Sequence, residues 1–206
     1  MKTEIETQLR DAAARLRSKG LFAPGNDRLS MRVPGSDEIL IASPEDDKIV
    51  SANLAIDSVH ATVYRNRPDA GAVLIGTTKW SIAIAALGET PPLLFDEPAR
   101  HIGAVPPLVS PGDHDALLAA IQTGTNAIFY GPQCIRIGMT RDRIVFNAEL
   151  FEKCAMAFVL AKSSGTPLQQ VPGWVVWIAG RRLKKDQRRA AAAYAHGEIP
   201  VGMNSY

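Results

Sequence analysis

Apolar residues return every three or four positions at the start of the chain, where Ile5, Leu9, Ala12 and Leu16 share one side of a helix that Gly20 ends. Thr3 and Glu6 have the spacing of a capping box for that helix. The period then shortens. Leu29 to Val33 and Glu38 to Ala42 are short apolar runs on either side of Pro34-Gly35-Ser36, a turn composition that suits a hairpin. Asn53 is placed to cap a helix running to about Arg65, with Ile56, Val59, His60 and Val63 on one side and Pro68 beyond its end. Ala70 to Gly76 reads as a buried strand. Thr77 or Thr78 caps the next helix, which carries Ile82, Ala83, Ala86 and Leu87 and stops at Gly88. A strand over Leu93 to Phe95, a helix over Glu97 to Ile102 and a strand over Val105 to Val109 follow. Ser110-Pro111-Gly112 then leads into a helix holding Leu117, Leu118 and Ile121. Asn126 to Tyr130 and Cys134 to Ile137 pair around Gly131-Pro132, and Thr140 caps a long helix with Ile144, Ala148, Phe151, Ala155 and Phe158 on one face. The alternation of the two periods, without internal repeats, predicts a mixed α/β protein.

Composition changes this picture little. A chain of 206 residues, 46% hydrophobic and 21% charged, can bury a core without disulfides or structural metals. The formal charge of +2 implies no polyanionic partner. Cys134 and Cys154 make no framework and no zinc-ligand spacing, which fits a reducing cytoplasm, where both read as small buried hydrophobes. The N-terminus mixes acids and bases and lacks the apolar centre of a signal peptide, and no apolar run reaches membrane-spanning length. A cytoplasmic protein without a membrane partner is expected. The tail after Pro172 differs in character: GWVVWIAG is apolar, with Trp174 and Trp177 three apart, and GRRLKKDQRRAAAAYAHG is a basic helix. Its Arg181, Arg182, Lys184, Lys185, Arg188 and Arg189 could track phosphates. They lack interleaved aromatics, so a solvated or subunit-contacting face is the competing reading and nucleic acid is not the expected partner.

Four stretches, in order, carry a resemblance. LRSKGLFAPGNDRLSMR (Leu16 to Arg32) is similar to L-x-x-x-G-L … G-N-x-S-x-R, with two additional residues between Asn26 and Ser30. HATVYRNRPDAGAVL (His60 to Leu74) is similar to H-x-x-x-Y-x-x-R-P-D-x-x-A-V. FDEPARHIGAVPPLVSPGDHDALLAAI (Phe95 to Ile121) and NAIFYGPQCIRIG complete the series. Together they resemble the class II aldolase/adducin family, which includes fuculose-phosphate aldolase, ribulose-phosphate 4-epimerase and the adducin head. The resemblance implies a three-layer α/β/α domain over residues 1–170, with a mainly antiparallel central sheet, helices on both faces and the Ala70 to Gly76 strand near the middle. Residues 171–206 would pack on that domain or on a neighbouring subunit. A homotetramer with clefts between subunits is implied as well, and Trp174 and Trp177 themselves suggest an oligomer contact.

The family's zinc imidazoles come from A-V-x-H-x-H and from an N-H-G turn. The matching positions here are Ile75, Thr77 and Pro132, none of which is an imidazole. The family's carboxylate in S-S-E-x-x-x-H falls at Ile56, and its proton-transferring tyrosine falls at Leu108. Zinc, the family cofactor, therefore has no ligands at its usual place, and no cofactor is expected. Of the phosphate-binding loop, Asn26 and Ser43 remain. Asn26 beside Gly25 could cradle an anion or simply form a turn. Thr77 and Thr78 are candidates for ligand contact, although an N-cap pair explains them equally. His101 is a candidate base or merely a helix-end histidine. Lys79 is a candidate for carbonyl chemistry if desolvated, and otherwise a solvated helix residue. Three functions stay open: a metal-independent lyase or isomerase on a small oxygenated carbonyl or sugar-phosphate-like compound, a non-catalytic ligand- or protein-binding relative, and a nucleic-acid-docking module.

Overall fold

The structure, a computed structural model, describes residues 1–46, 48–165 and 167–202. Helix α1 (Lys2–Ser18) buries Ile5, Leu9, Ala12, Ala13 and Leu16, the stripe expected from the sequence. It starts at Met1 without a side-chain cap, so Thr3 lies inside the first turn and the Thr3/Glu6 capping box does not form. Strands β1 (Arg28–Arg32) and β2 (Glu38–Ala42) make the expected hairpin around Gly35, whose φ of 73° requires glycine. A third strand, β3 (Ile49–Asn53), pairs with β2 at the sheet edge. The predicted helix from Asn53 is corrected accordingly: α2 spans only Val59–Asn66, and its cap is Ser58, whose hydroxyl accepts from the Ala61 amide at 3.2 Å.

Strand β4 (Ala72–Gly76) is buried at every position. Helix α3 (Lys79–Leu87) begins with a capping box between Thr78 and Ser81 and ends on left-handed Gly88. Leu93 to Phe95 forms no strand. Helix α4 (Asp96–His101), β5 (Leu108–Val109), α5 (His114–Gln122), β6 (Ala127–Tyr130), β7 (Gln133–Gly138) and α6 (Arg141–Ser163) follow. The apolar and basic parts of the tail form one helix, α7 (Gly173–Ala195). Residues 203–206 of the expected tail segment lie outside the described residues.

The sheet order is β3-β2-β1-β4-β7-β6-β5, antiparallel except for the parallel pair β5 and β6. Side chains alternate across it. Ala72 and Leu74 meet α1 and α6 on one face, while Val73 and Ile75 meet α2 and α5 on the other. Farther along the first face, β6 and β7 pack with α3 and the second half of α6 through Ile84, Phe129, Cys134, Phe151 and Phe158. Helix α7 lies against α4 and returns to the sheet centre, where the Tyr194 hydroxyl donates to the Met139 carbonyl at 2.9 Å.

The turn before β4 carries a buried polar lock. Arg67 grips Asp69 with two bonds of 2.8 and 2.7 Å and donates to the Thr125 carbonyl and to Asn126 Oδ1, both at 2.7 Å. Both members of the ion pair are almost wholly buried, so removing one strands the other's charge. Arg67→Ala is expected to cost about 3–5 kcal/mol in urea unfolding. A loss below about 1 kcal/mol would show that the lock is peripheral.

Candidate functional site

The residues at the positions of the family's metal ligands do not form one cluster with the other sequence-derived candidates. Ile75 is buried on the α2/α5 face with Val73, Ile135 and Ile137. Ile56, at the position of the family's carboxylate, does not join it: it is 40% exposed on the loop before α2, where its carbonyl accepts from Arg65. That loop, residues 54–58, leads out of β3 and is not helical as the periodicity predicts. Leu108 and Pro132 do come together, lining a depression of about 400 Å³ with Ala85, Gly88, Ser110 and Gly131. It presents no ionisable side chain. The donor set does not fit a zinc ion: isoleucine and proline offer no side-chain lone pair, and among the described residues no three His, Cys, Asp or Glu side chains gather to hold a metal.

What occupies the end of β4 is Asp27. Gly76 has no side chain, and a Cβ there would stand 2.3 Å from the Asp27 carboxylate. Asp27 is 2% exposed; Oδ1 accepts from the Thr77 amide at 3.0 Å and Oδ2 from the Ala23 amide at 2.9 Å. The next residue, Arg28, stands opposite Ile75 in the β1–β4 register. Its guanidinium donates to the Gly25 and Asp27 carbonyls at 3.1 and 2.6 Å and lies 3.6 Å from Glu45. Asp27 and Arg28 lie within the stretch between Asn26 and Ser30 that is two residues longer than the family motif. Ser30, two residues along β1 and so on the same face as Arg28, hydrogen-bonds His60 Nδ1 at 2.7 Å and the Tyr64 hydroxyl at 3.0 Å. With Ser30 donating to Nδ1, Tyr64 donates to Ser30 and the His60 proton sits on Nε2, which has no protein partner. Burial, assisted by the charge of Arg28, lowers the His60 pKa to about 4, and burial raises that of Tyr64. Beneath the same strand end, Arg136 is fully buried and donates to the Gly76 carbonyl at 3.2 Å.

The other candidates lie elsewhere. Asn26 is exposed and Ser43 bonds Asp46 at 3.3 Å. Thr77 takes part through its backbone amide, whereas Thr78 caps α3 and its hydroxyl donates to Glu152 at 2.5 Å. Lys79 is exposed, its ammonium over the Trp80 ring at 4.8 Å, so the desolvation that carbonyl chemistry would need is missing. His101 ends α4 but is buried, edge-on to Phe146, with Nδ1 accepting from Arg143. Burial, then Arg143 and Arg100, lowers its pKa to about 4. Burial also pushes the Cys134 and Cys154 thiols up to about 12, leaving neither as a nucleophile at neutral pH. A groove of about 390 Å³ between α1 and α6 looks charged, but its ions cancel in pairs: Arg15 with Asp142, Lys19 with Glu149 and Lys153 with Glu97.

The mostly antiparallel sheet with its helices makes an α/β fold that matches those of class II aldolases. L-fuculose 1-phosphate aldolase superposes with a TM-score of 0.76 at 17% identity, over 88% of this chain and 96% of that one. YgbL of Klebsiella pneumoniae, assigned only provisionally as an aldolase/epimerase/decarboxylase, gives 0.72 at 17% identity over 87% and 99%. In sequence, Decarboxylase NovR of Streptomyces niveus is 28% identical over 161 residues, 75% of this chain and 54% of that protein. The chain thus spans about half the length of the curated relative it matches. No protein-family model matches it.

His60 and His101 both stay neutral when folded but bind a proton near pH 6.5 when unfolded. The unfolded chain therefore takes up more protons as pH falls from about 6.5 to about 4, and the folded state loses on the order of a few kcal/mol across that window. Urea unfolding at stepped pH should show this loss, and His60→Gln should reduce it. A flat profile would contradict the buried, neutral assignment.

Proposed function

We propose that this chain is a metal-independent lyase or isomerase that acts on a small, anionic, oxygenated carbonyl compound at the end of β4. One coincidence in space carries the reading: Ile75 and Thr77 stand where the family's ligands would be, and Asp27 and Arg28, from the lengthened β1 loop, meet them there. Aldolases and decarboxylases share one demand, a group that takes up negative charge as a carbon–carbon bond beside a carbonyl breaks. In this reading the Arg28 guanidinium, partly exposed beside Ile75, supplies the positive charge and binds the substrate's carboxylate or phosphate. Asp27 fixes the Thr77 amide and the loop behind it, and the Tyr64–Ser30–His60 chain keeps the β1–α2 contact in one arrangement. His101, locked on Arg143, and exposed Lys79 have positioning or solvent roles only. The family-wide names of the structural neighbours, and a relative called a decarboxylase, support a carbon–carbon lyase over a pure docking role. The absence of an ionisable group around Leu108 and Pro132 is what favours the alternative, a ligand- or protein-binding pseudoenzyme.

Assembly belongs to the same reading. Ile82 and Leu87 of α3 and Met156 and Leu160 of α6 are exposed apolar residues on two helices that pack together, which supports a homo-oligomer, taken here as a tetramer. The two free cysteines support a cytoplasmic setting. Light scattering should give an oligomer at micromolar concentration, and a monomer would contradict this part.

The site is tested by thermal-shift titration of the purified protein with α-keto acids and sugar phosphates. At least one class should raise the melting temperature, and Arg28→Met should abolish that shift while leaving the unliganded melting temperature nearly unchanged. Elemental analysis finding near-stoichiometric zinc, or a shift that survives Arg28→Met, would overturn it.

A further inference from the structure

Helix α7 carries six cations that the fold does not use. Arg181, Arg182, Lys184, Lys185, Arg188 and Arg189 are exposed, and none forms an ion pair among the described residues. The acid in their midst, Asp186, turns inward to Arg100 at 2.5 Å and Arg143 at 3.1 Å. Projected down the helix, the six cations and Trp174, Trp177 and Ile178 fall within an arc of roughly 160°. The buried residues Ala179, Leu183, Ala190 and Tyr194 take the opposite side. Trp174 is 68% and Trp177 61% exposed, and the Arg181 guanidinium stands 4.7 Å over the Trp177 ring. The outer face is therefore a straight stripe about 22 Å long from Trp174 to Arg189, with two indoles at one end and cations along the rest.

We infer that this stripe docks on an anionic lipid surface. Indole rings settle at the headgroup level of a bilayer, and each basic side chain held near an anionic leaflet strengthens attachment about fivefold. The shape agrees. Because α7 is packed on the fold through Ala179, Leu183, Ala190 and Tyr194, it can present only one side, which suits a plane and not insertion into a nucleic-acid groove. Both indoles lie at one end, not between the cations as base stacking requires. Pairing this face with its own copy would oppose like charges. No helix among the described residues is long and apolar enough to cross a membrane, so the attachment is peripheral, and it revises the expectation of no membrane partner drawn from hydropathy. It stands independently of the proposed catalytic site.

The test uses the whole chain with vesicles of phosphatidylcholine alone and of phosphatidylcholine mixed with phosphatidylglycerol. Co-sedimentation is expected only with the mixed vesicles, and weaker at high salt. Brominated phosphatidylcholine in those vesicles should quench the tryptophan emission of the unaltered protein, and Trp174→Phe with Trp177→Phe should remove the quenched component, leaving Trp80. Combined Arg182→Gln, Lys185→Gln and Arg189→Gln should lower vesicle affinity on the order of a hundredfold with an unchanged circular dichroism spectrum. Equal binding to neutral vesicles, no binding, tighter binding to duplex DNA than to mixed vesicles, or an oligomer whose Trp174 and Trp177 emission bromolipid cannot reach would each overturn the inference.

Discussion

A strand buried on both faces must be closed at both ends by something other than solvent, and β4 sets that requirement for the rest of the fold. Its five residues are fully enclosed, with β1 and β7 bonded on either side. Just before its first residue, Gly71 leaves no room for a Cβ, because the Tyr194 hydroxyl and the Met139 carbonyl fill that space. At its last residue, Gly76 yields the same space to Asp27. The Arg67–Asp69 pair fixes the turn that feeds the strand and ties it to the start of β6. A one-residue slip of β4 would carry Val73 and Ile75 to the wrong helices and drive a side chain into either closure.

Much of this was legible in the sequence because it is local. Helix α1's stripe, the β2 boundaries, the Thr78 and Thr140 caps and the all-apolar run of β4 each follow from residues within a turn or two of one another. Strand β3 was not legible, since Ile49 to Asn53 is an exposed edge with no continuous apolar face, and the spacing of Ile56, Val59, His60 and Val63 extended α2 backward to the end of that strand. Ser58 was the better cap, but only the course of the chain after β3 shows that. The positions of Ile75, Thr77, Leu108 and Pro132 could be found by motif order. Asp27 and Arg28 could not, because their meaning comes from β1 pairing with β4 across more than forty positions. The one available signal was that the stretch they lie in is longer than the motif. The burial of His101 was not legible for the same reason: it depends on Arg143 and Phe146 of α6.

If Arg28 takes the place of a dication, as proposed, it changes which chemistry is within reach. Zinc polarises a bound oxygen and can ionise water at neutral pH; a guanidinium polarises the oxygen more weakly and does not ionise water, but holds a carboxylate or phosphate in a plane through two parallel bonds. Substrates whose own anionic group already delocalises charge suit such a site better than neutral sugars.

The Tyr194 side chain is also a matter of timing. During synthesis the strands emerge in the order β1 to β7, and all six pairings of the sheet can form once Gly138 has left the ribosome. The gap beside Gly71 stays uncovered until Tyr194, 55 positions beyond Met139, arrives to fill it. A nascent chain paused between those points presents a completed sheet with water at its most protected joint, the kind of late, partly packed species that chaperones engage.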